Sequence, residues 1–97
     1  DDIYYTDYHN HYIQIHLADH VVKTYMRFQD FSAMLETYPQ FIVGYRNCLL
    51  NMDKIAILNK EDLVLTTGEH LPVPRNLRSI LHQQYADYLF QKRNSNP

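Results

Sequence analysis

Six histidines, one cysteine, three serines, and the points where Arg46, Asn47 and Arg75 border apolar runs are the chemistry-bearing features of this chain. A nucleophilic cysteine needs a base and an electropositive, partly open setting. Cys48 stands instead beside Leu49 and Leu50 in a strand-like run and reads as a small buried hydrophobe. Ser32 and Ser79 fall within helical patterns and Ser95 in a polar tail, so none sits at the strained turn that exposes a catalytic hydroxyl. Glu61 and Asp62 follow Lys60 in a turn and read as solvated surface groups. Hydrolysis and general acid–base catalysis therefore lack a candidate group, and the chain is read as non-enzymatic. His9 and His11, two apart and close to Asp7, offer metal ligands from one loop, although the paired cysteines of structural zinc sites are absent. Neutral imidazole both donates and accepts hydrogen bonds, so the same loop suits a polar partner. Arg46 and Asn47 separate Val43-Gly44-Tyr45 from Cys48-Leu49-Leu50, and Arg75 follows Leu71-Pro72-Val73-Pro74. Taken alone, each is better explained as a plain turn residue, Arg75 for instance pairing with Glu69, because isolated surface charges contribute little.

The composition limits what can position these groups. Ninety-seven residues, 45% hydrophobic and 21% charged, fit one compact domain with a real core. Two glycines leave no material for a glycine-rich phosphate loop, and 13% aromatics without tryptophan favour strands over a helical bundle. A formal charge of -2 gives no global positive field of the kind that announces a nucleic-acid or membrane partner. Its distribution is uneven: residues 1–20 hold Asp1, Asp2, Asp7 and Asp19 without Lys or Arg, while residues 71–97 hold Arg75, Arg78, Lys92 and Arg93 against Asp87 alone. A single cysteine excludes an internal disulfide, the opening DDIYY lacks a secretory pattern, and no apolar run reaches bilayer length. A cytoplasmic location without a membrane partner is expected.

Periodicity supplies the elements. Ile3–Tyr5 reads as a strand entering a polar loop, Thr6–His11. Tyr12–Leu17 alternates, with Ile13, Ile15 and Leu17 on one side, and His20–Met26 is rich in strand formers, so the two should pair as a hairpin. Phe28, Phe31, Met34 and Leu35 mark one helical face, capped near Asp30 and stopped by Tyr38-Pro39. Short apolar runs at 41–45, 48–50, 55–58, 63–66 and 71–73, spaced by turn residues, imply a mainly β core. Pro72 and Pro74 confine the last run to a sheet edge. Leu77, Ile80, Leu81, Tyr85, Tyr88 and Leu89 recur as one face of a terminal helix that fades into a polar tail, 91–97.

The run Phe41-Ile42-Val43-Gly44-Tyr45-Arg46-Asn47-Cys48-Leu49-Leu50-Asn51-Met52-Asp53-Lys54-Ile55, the later Thr67-Gly68 turn and Leu71-Pro72-Val73-Pro74-Arg75 together resemble the LytTR DNA-binding domain of bacterial two-component response regulators. The match spans nearly the whole chain. The resemblance implies a β-sandwich-like fold of short antiparallel sheets with a short middle helix and a C-terminal helix, forming one domain over 1–97 with flexible ends at 1–2 and 91–97. It further implies double-stranded DNA as the partner, read through loops in the major groove, with two copies on promoter direct repeats and a receiver domain outside this chain. No cofactor and no metal are implied. The family's base-reaching positions fall on His11, Arg46, Asn47 and Arg75. Asn47 stands where the family often has Ser, and Pro74 replaces the Ser that frequently precedes the arginine, which removes a hydroxyl and an amide donor. Charge and loop position add Lys54, Lys60 and Arg78 as expected phosphate contacts. Two alternatives come from other classes: a protein-interaction module that adds a strand to the edge at Leu71–Val73, and a metal-binding domain built on Asp7, His9 and His11.

Overall fold

The computed structural model describes residues 2–43 and 48–95. The chain divides into two compact units, Asp1–Lys54 and Ile55–Pro97. The first contains β1 (Tyr5–His9), β2 (Tyr12–His16), β3 (Val21–Thr24), α1 (Phe28–Leu35), β4 (Phe41–Val43), β5 (Leu49–Asn51) and a single 3-10 turn at Met52–Lys54. Its five strands form one sheet in the order β3-β2-β1-β5-β4, and all four neighbouring pairs are antiparallel.

β2 forms where alternation places a strand, but only Ile13 is fully buried; Ile15 and the opposite-face residues Tyr12, Gln14 and His16 are all half-buried. Leu17 lies past the strand end, and β2 pairs with β3 through Ile13 opposite Thr24 and Ile15 opposite Val22. On the core side, Ile13 and Leu49 of the sheet meet Phe31 and Leu35 of α1, with Ile3, Ile15, Phe28 and Phe41 packed around them. Met34 does not join them and is 58% exposed. At 100° per residue it lies well off the arc through Phe28, Phe31 and Leu35. Nor does Asp30 cap α1: the N-cap is Arg27, without a side-chain cap bond, and Asp30 in the first turn pairs with Arg27 at 3.5 Å.

The first strand also differs from expectation. It begins at Tyr5 and runs through the polar residues Thr6, Asp7, Tyr8 and His9, which read as a loop in the sequence. Pairing with β2 along its whole length accounts for this, and β5 adds a second partner strand at Tyr5 and Thr6. Thr6 is wholly buried, and its Oγ1 accepts the Leu49 amide at 3.2 Å, which satisfies a polar group inside the sheet. Asn51 is likewise not a turn spacer. It ends β5 at 1% exposure, donates from Nδ2 to the Ile3 carbonyl at 2.8 Å, and accepts the Asp53 amide on Oδ1 at 2.9 Å.

The second unit is a three-stranded antiparallel meander, β6 (Ile55–Leu58), β7 (Asp62–Leu65) and β8 (His70–Pro72), followed by α2 (Arg75–Ser95). β8 is an edge strand, as Pro72 requires, and Pro74 lies beyond its end. The β7–β8 turn closes through Gly68, whose φ of +95° is open to glycine, with the Gly68 amide donating to the Leu65 carbonyl at 2.8 Å. Ile55, Leu63, Leu65, Val73 and Leu81 are buried. On α2 the packed face is narrower than the apolar pattern suggests. Leu77, Tyr85 and Tyr88 are half-buried, whereas Ile80 and Leu89 are 50% and 46% exposed. The polar segment from Gln91 continues the helix to Ser95, where Lys92 and Arg93 suit the negative end of its dipole.

Candidate functional site

His9 and Tyr12 are the last paired residues of the β1–β2 hairpin, so Asn10 and His11 form a two-residue loop. Their φ values, 48° and 71°, are both positive, the signature of the tight turn whose twist matches paired strands. Asparagine tolerates this conformation. The second position favours glycine, and a side chain there costs about 1 to 2 kcal/mol. His11 is thus exposed on a backbone conformation that glycine adopts more readily. Beside it Asn10 Nδ2 donates to His9 Nε2 at 3.2 Å.

Asp7 does not join these histidines. Its Oδ1 meets Nε2 of His16 across the β1–β2 pair at 3.3 Å, and the His16 ring stacks on Tyr5 at 4.0 Å. Among the described residues no three His, Cys, Asp or Glu side chains gather as a metal-holding set. Cys48 is half-buried, and burial, followed by the charge of Asp7, pushes its thiol up to about 11, which makes it a poor nucleophile. Lys54 closes the 3-10 turn with its ammonium 5.1 Å from the centre of the Tyr4 ring. Arg46 and Asn47, in the connection between β4 and β5, lie outside the described residues.

In the second unit Arg75 is the first residue of α2 and is exposed. Its guanidinium makes no ion pair or hydrogen bond with the described residues, so the pairing with Glu69 considered above is not formed there. Arg78 is half-buried, and its Nε donates to the Val73 carbonyl at 3.0 Å, a bond that uses one of its five donors. The first turn of α2 therefore carries two arginines and no acid. Because the amides at a helix start already create a positive end, this arrangement disfavours the helix and favours an anion.

Lys60 occupies the exposed β6–β7 turn. That turn is clamped by residues with no sequence signal linking them. Asn59 Nδ2 donates to Asp62 Oδ1 at 2.8 Å, His70 Nδ1 meets Asp62 Oδ2 at 3.2 Å, and His82 Nε2 donates to the Asn59 carbonyl at 2.9 Å. The Val73 amide bonds to the Glu61 carbonyl at 2.9 Å. The Asn59 hydrogen bond, then that of His70, holds the Asp62 carboxyl below its ordinary range.

A mainly β domain of two sheets, with a short helix and a C-terminal helix, thus presents imidazole and guanidinium groups from a tight turn and a helix start. Residues 1–86 match the family model of the LytTr DNA-binding domain, and the chain belongs to that family of DNA-binding domains of transcription regulation. Among solved structures it is similar to the LytTr DNA-binding domain of a putative methyl-accepting/DNA response regulator from Bacillus cereus. The TM-score is 0.70 at 17% identity, over 86% of this chain and 80% of that one, which shows a shared fold. No curated protein matches the chain. No helix among the described residues is long and apolar enough to cross a membrane.

Proposed function

We propose that this chain reads the sequence of double-stranded DNA as the cytoplasmic effector domain of a bacterial two-component transcriptional regulator, with His11, Arg46, Asn47 and Arg75 at base edges. The observation that carries this reading is the start of α2, where Arg75 stands exposed at the positive end of a helix with no acid to offset it. A cation there opposes helix stability by about 0.3 to 1 kcal/mol, so its presence is better explained by an anionic partner. Its guanidinium fork matches the N7 and O6 acceptors of guanine, a contact that discriminates against a wrong base by about 1 to 3 kcal/mol. The strained position of His11 points the same way, since glycine would serve the turn better.

Lys54, Lys60 and Arg78 supply phosphate contacts. Lys60 projects from a turn that the Asp62 network immobilises, which lowers the entropy lost on binding. Arg78 keeps its Nη donors for a phosphate while Nε holds Val73. Two copies on direct repeats, joined through a receiver domain, would convert modest single-site affinity into avid binding.

Selection from a pool of random duplexes at two salt concentrations tests this reading. One enriched motif is expected, with affinity falling as salt rises at a slope of about -0.9 per phosphate contact. Even retention of all duplexes would reject sequence reading, and binding only to peptides would reject DNA binding in favour of a protein-interaction role for the β8 edge.

A further inference from the structure

The ring of Tyr12, the residue that follows His11, touches three groups. The His9 ring, opposite it in register, lies edge-on at 6.0 Å and 78°. The Tyr25 ring meets it at 5.7 Å and 64°, and the Lys23 ammonium sits 4.9 Å from its centroid. Tyr25 follows β3, where Thr24 Oγ1 accepts the Met26 amide at 3.3 Å and fixes the chain as it leaves the sheet. Yet Tyr25 is 76% exposed. So large an aromatic surface in water gains little from burial, and core packing does not account for its place.

We infer that Tyr25 is a positioning residue for DNA recognition: its ring, with Lys23, braces Tyr12 and so fixes the turn that displays His11. The inference rests on the base-reading role proposed for His11. Within the two-residue loop the Asn10 side chain bonds back to His9, and His11 has no such tie among the described residues, so the direction of His11 depends on the pair that closes the turn. That pair is His9 and Tyr12, and Tyr12 is the one of the two held by a third strand's neighbours. Tyr25 acts at one remove, through ring contacts worth more than their area, and displacement of a contacting group by an ångström is enough to weaken recognition.

The test uses the full chain with Tyr25→Ala, Tyr25→Phe and His11→Ala, each measured against an enriched duplex and a scrambled one. Tyr25→Ala is expected to lower affinity for the enriched duplex about three- to tenfold. Affinity for the scrambled duplex and the salt slope should be unchanged, because no phosphate contact is lost. Tyr25→Phe keeps the ring edge and should restore the parental ratio. In the free protein, the amide–Hα coupling of His11 should shift in Tyr25→Ala and not in Tyr25→Phe. Parental discrimination in Tyr25→Ala, with His11→Ala impaired, would overturn the brace and leave the base-reading role standing. Full discrimination in His11→Ala would remove the role itself. An equal affinity loss on both duplexes in Tyr25→Ala would assign the residue to folding and also overturn the inference.

Discussion

The Nε of Arg78 donates to the carbonyl oxygen of Val73 at 3.0 Å, a bond that closes over the Pro74-Arg75 step and ties the first turn of α2 to the chain leaving β8. Arg75 is thereby presented from a start fixed on both sides. The Leu77 amide adds a second tie by donating to the Pro74 carbonyl at 2.9 Å.

Removing that tie should cost stability as well as phosphate contact. Arg78→Ala is expected to lower unfolding free energy by about 1 to 2 kcal/mol, the range for a hydrogen bond from a charged donor in a half-buried setting. Arg78→Lys should recover little of this, because an ammonium lacks the planar fork that reaches a carbonyl sideways. Urea denaturation of the three proteins measures both.

At the β1–β2 turn, stability and recognition should separate. His11→Gly relieves a side chain at φ 71° and should raise the melting temperature, with a gain of about 1 kcal/mol, while it removes the imidazole. His11→Ala removes the same imidazole and leaves the strain. Both variants should lose discrimination between enriched and scrambled duplexes, and only the glycine variant should melt higher than the parent.

The Asp62 clamp makes an acid-side prediction. Because the folded carboxyl is held below its ordinary value of 3.8, the unfolded chain binds the proton more readily. Its contribution is therefore present above that value and is lost as pH falls through the lower, folded one. Asn59→Ala removes the amide that donates to this carboxylate, so the Asp62 midpoint, followed by side-chain NMR, should move up toward 3.8.

Cys48 gives the opposite sign at high pH. The folded thiol titrates at about 11 against an ordinary 9.0, so the folded state holds its proton longer. The stabilisation is complete below about 9 and is lost as pH rises toward 11, reaching roughly 2 to 3 kcal/mol. Subtracting the stability profile of Cys48→Ala from that of the parent isolates this window, and thiol alkylation near neutral pH should be slow.

Strand β2 and the edge position of β8 were legible because alternation and proline leave one-dimensional marks that tertiary context rarely reverses. The stretch of β1 from Thr6 onward was not, because its polar residues look like a loop until β2 pairs with all of them and β5 with Thr6. Met34, Ile80 and Leu89 show the limit of apolar periodicity: each continues a helical pattern yet stands mostly outside the packed arc. Within the site, Arg75 could be located from Pro72 and Pro74, which end the strand just before the helix begins. His11 stands out in the sequence by its spacing to His9, its expected base contact comes only from the family resemblance, and its positive φ emerges only from the register of the hairpin. The links from Asp62 to His70 and from Asn59 to His82 span 8 and 23 positions and carry no spacing rule.

The base-reading role proposed for the α2 start is tested most directly by the ratio of affinities for an enriched and a scrambled duplex in the parent, Arg75→Ala and Arg75→Glu. Both variants should lose about 1 to 3 kcal/mol of discrimination at one base position, while Arg75→Glu melts no lower than the parent because an acid suits the helix start. A parental ratio in both variants would contradict the account.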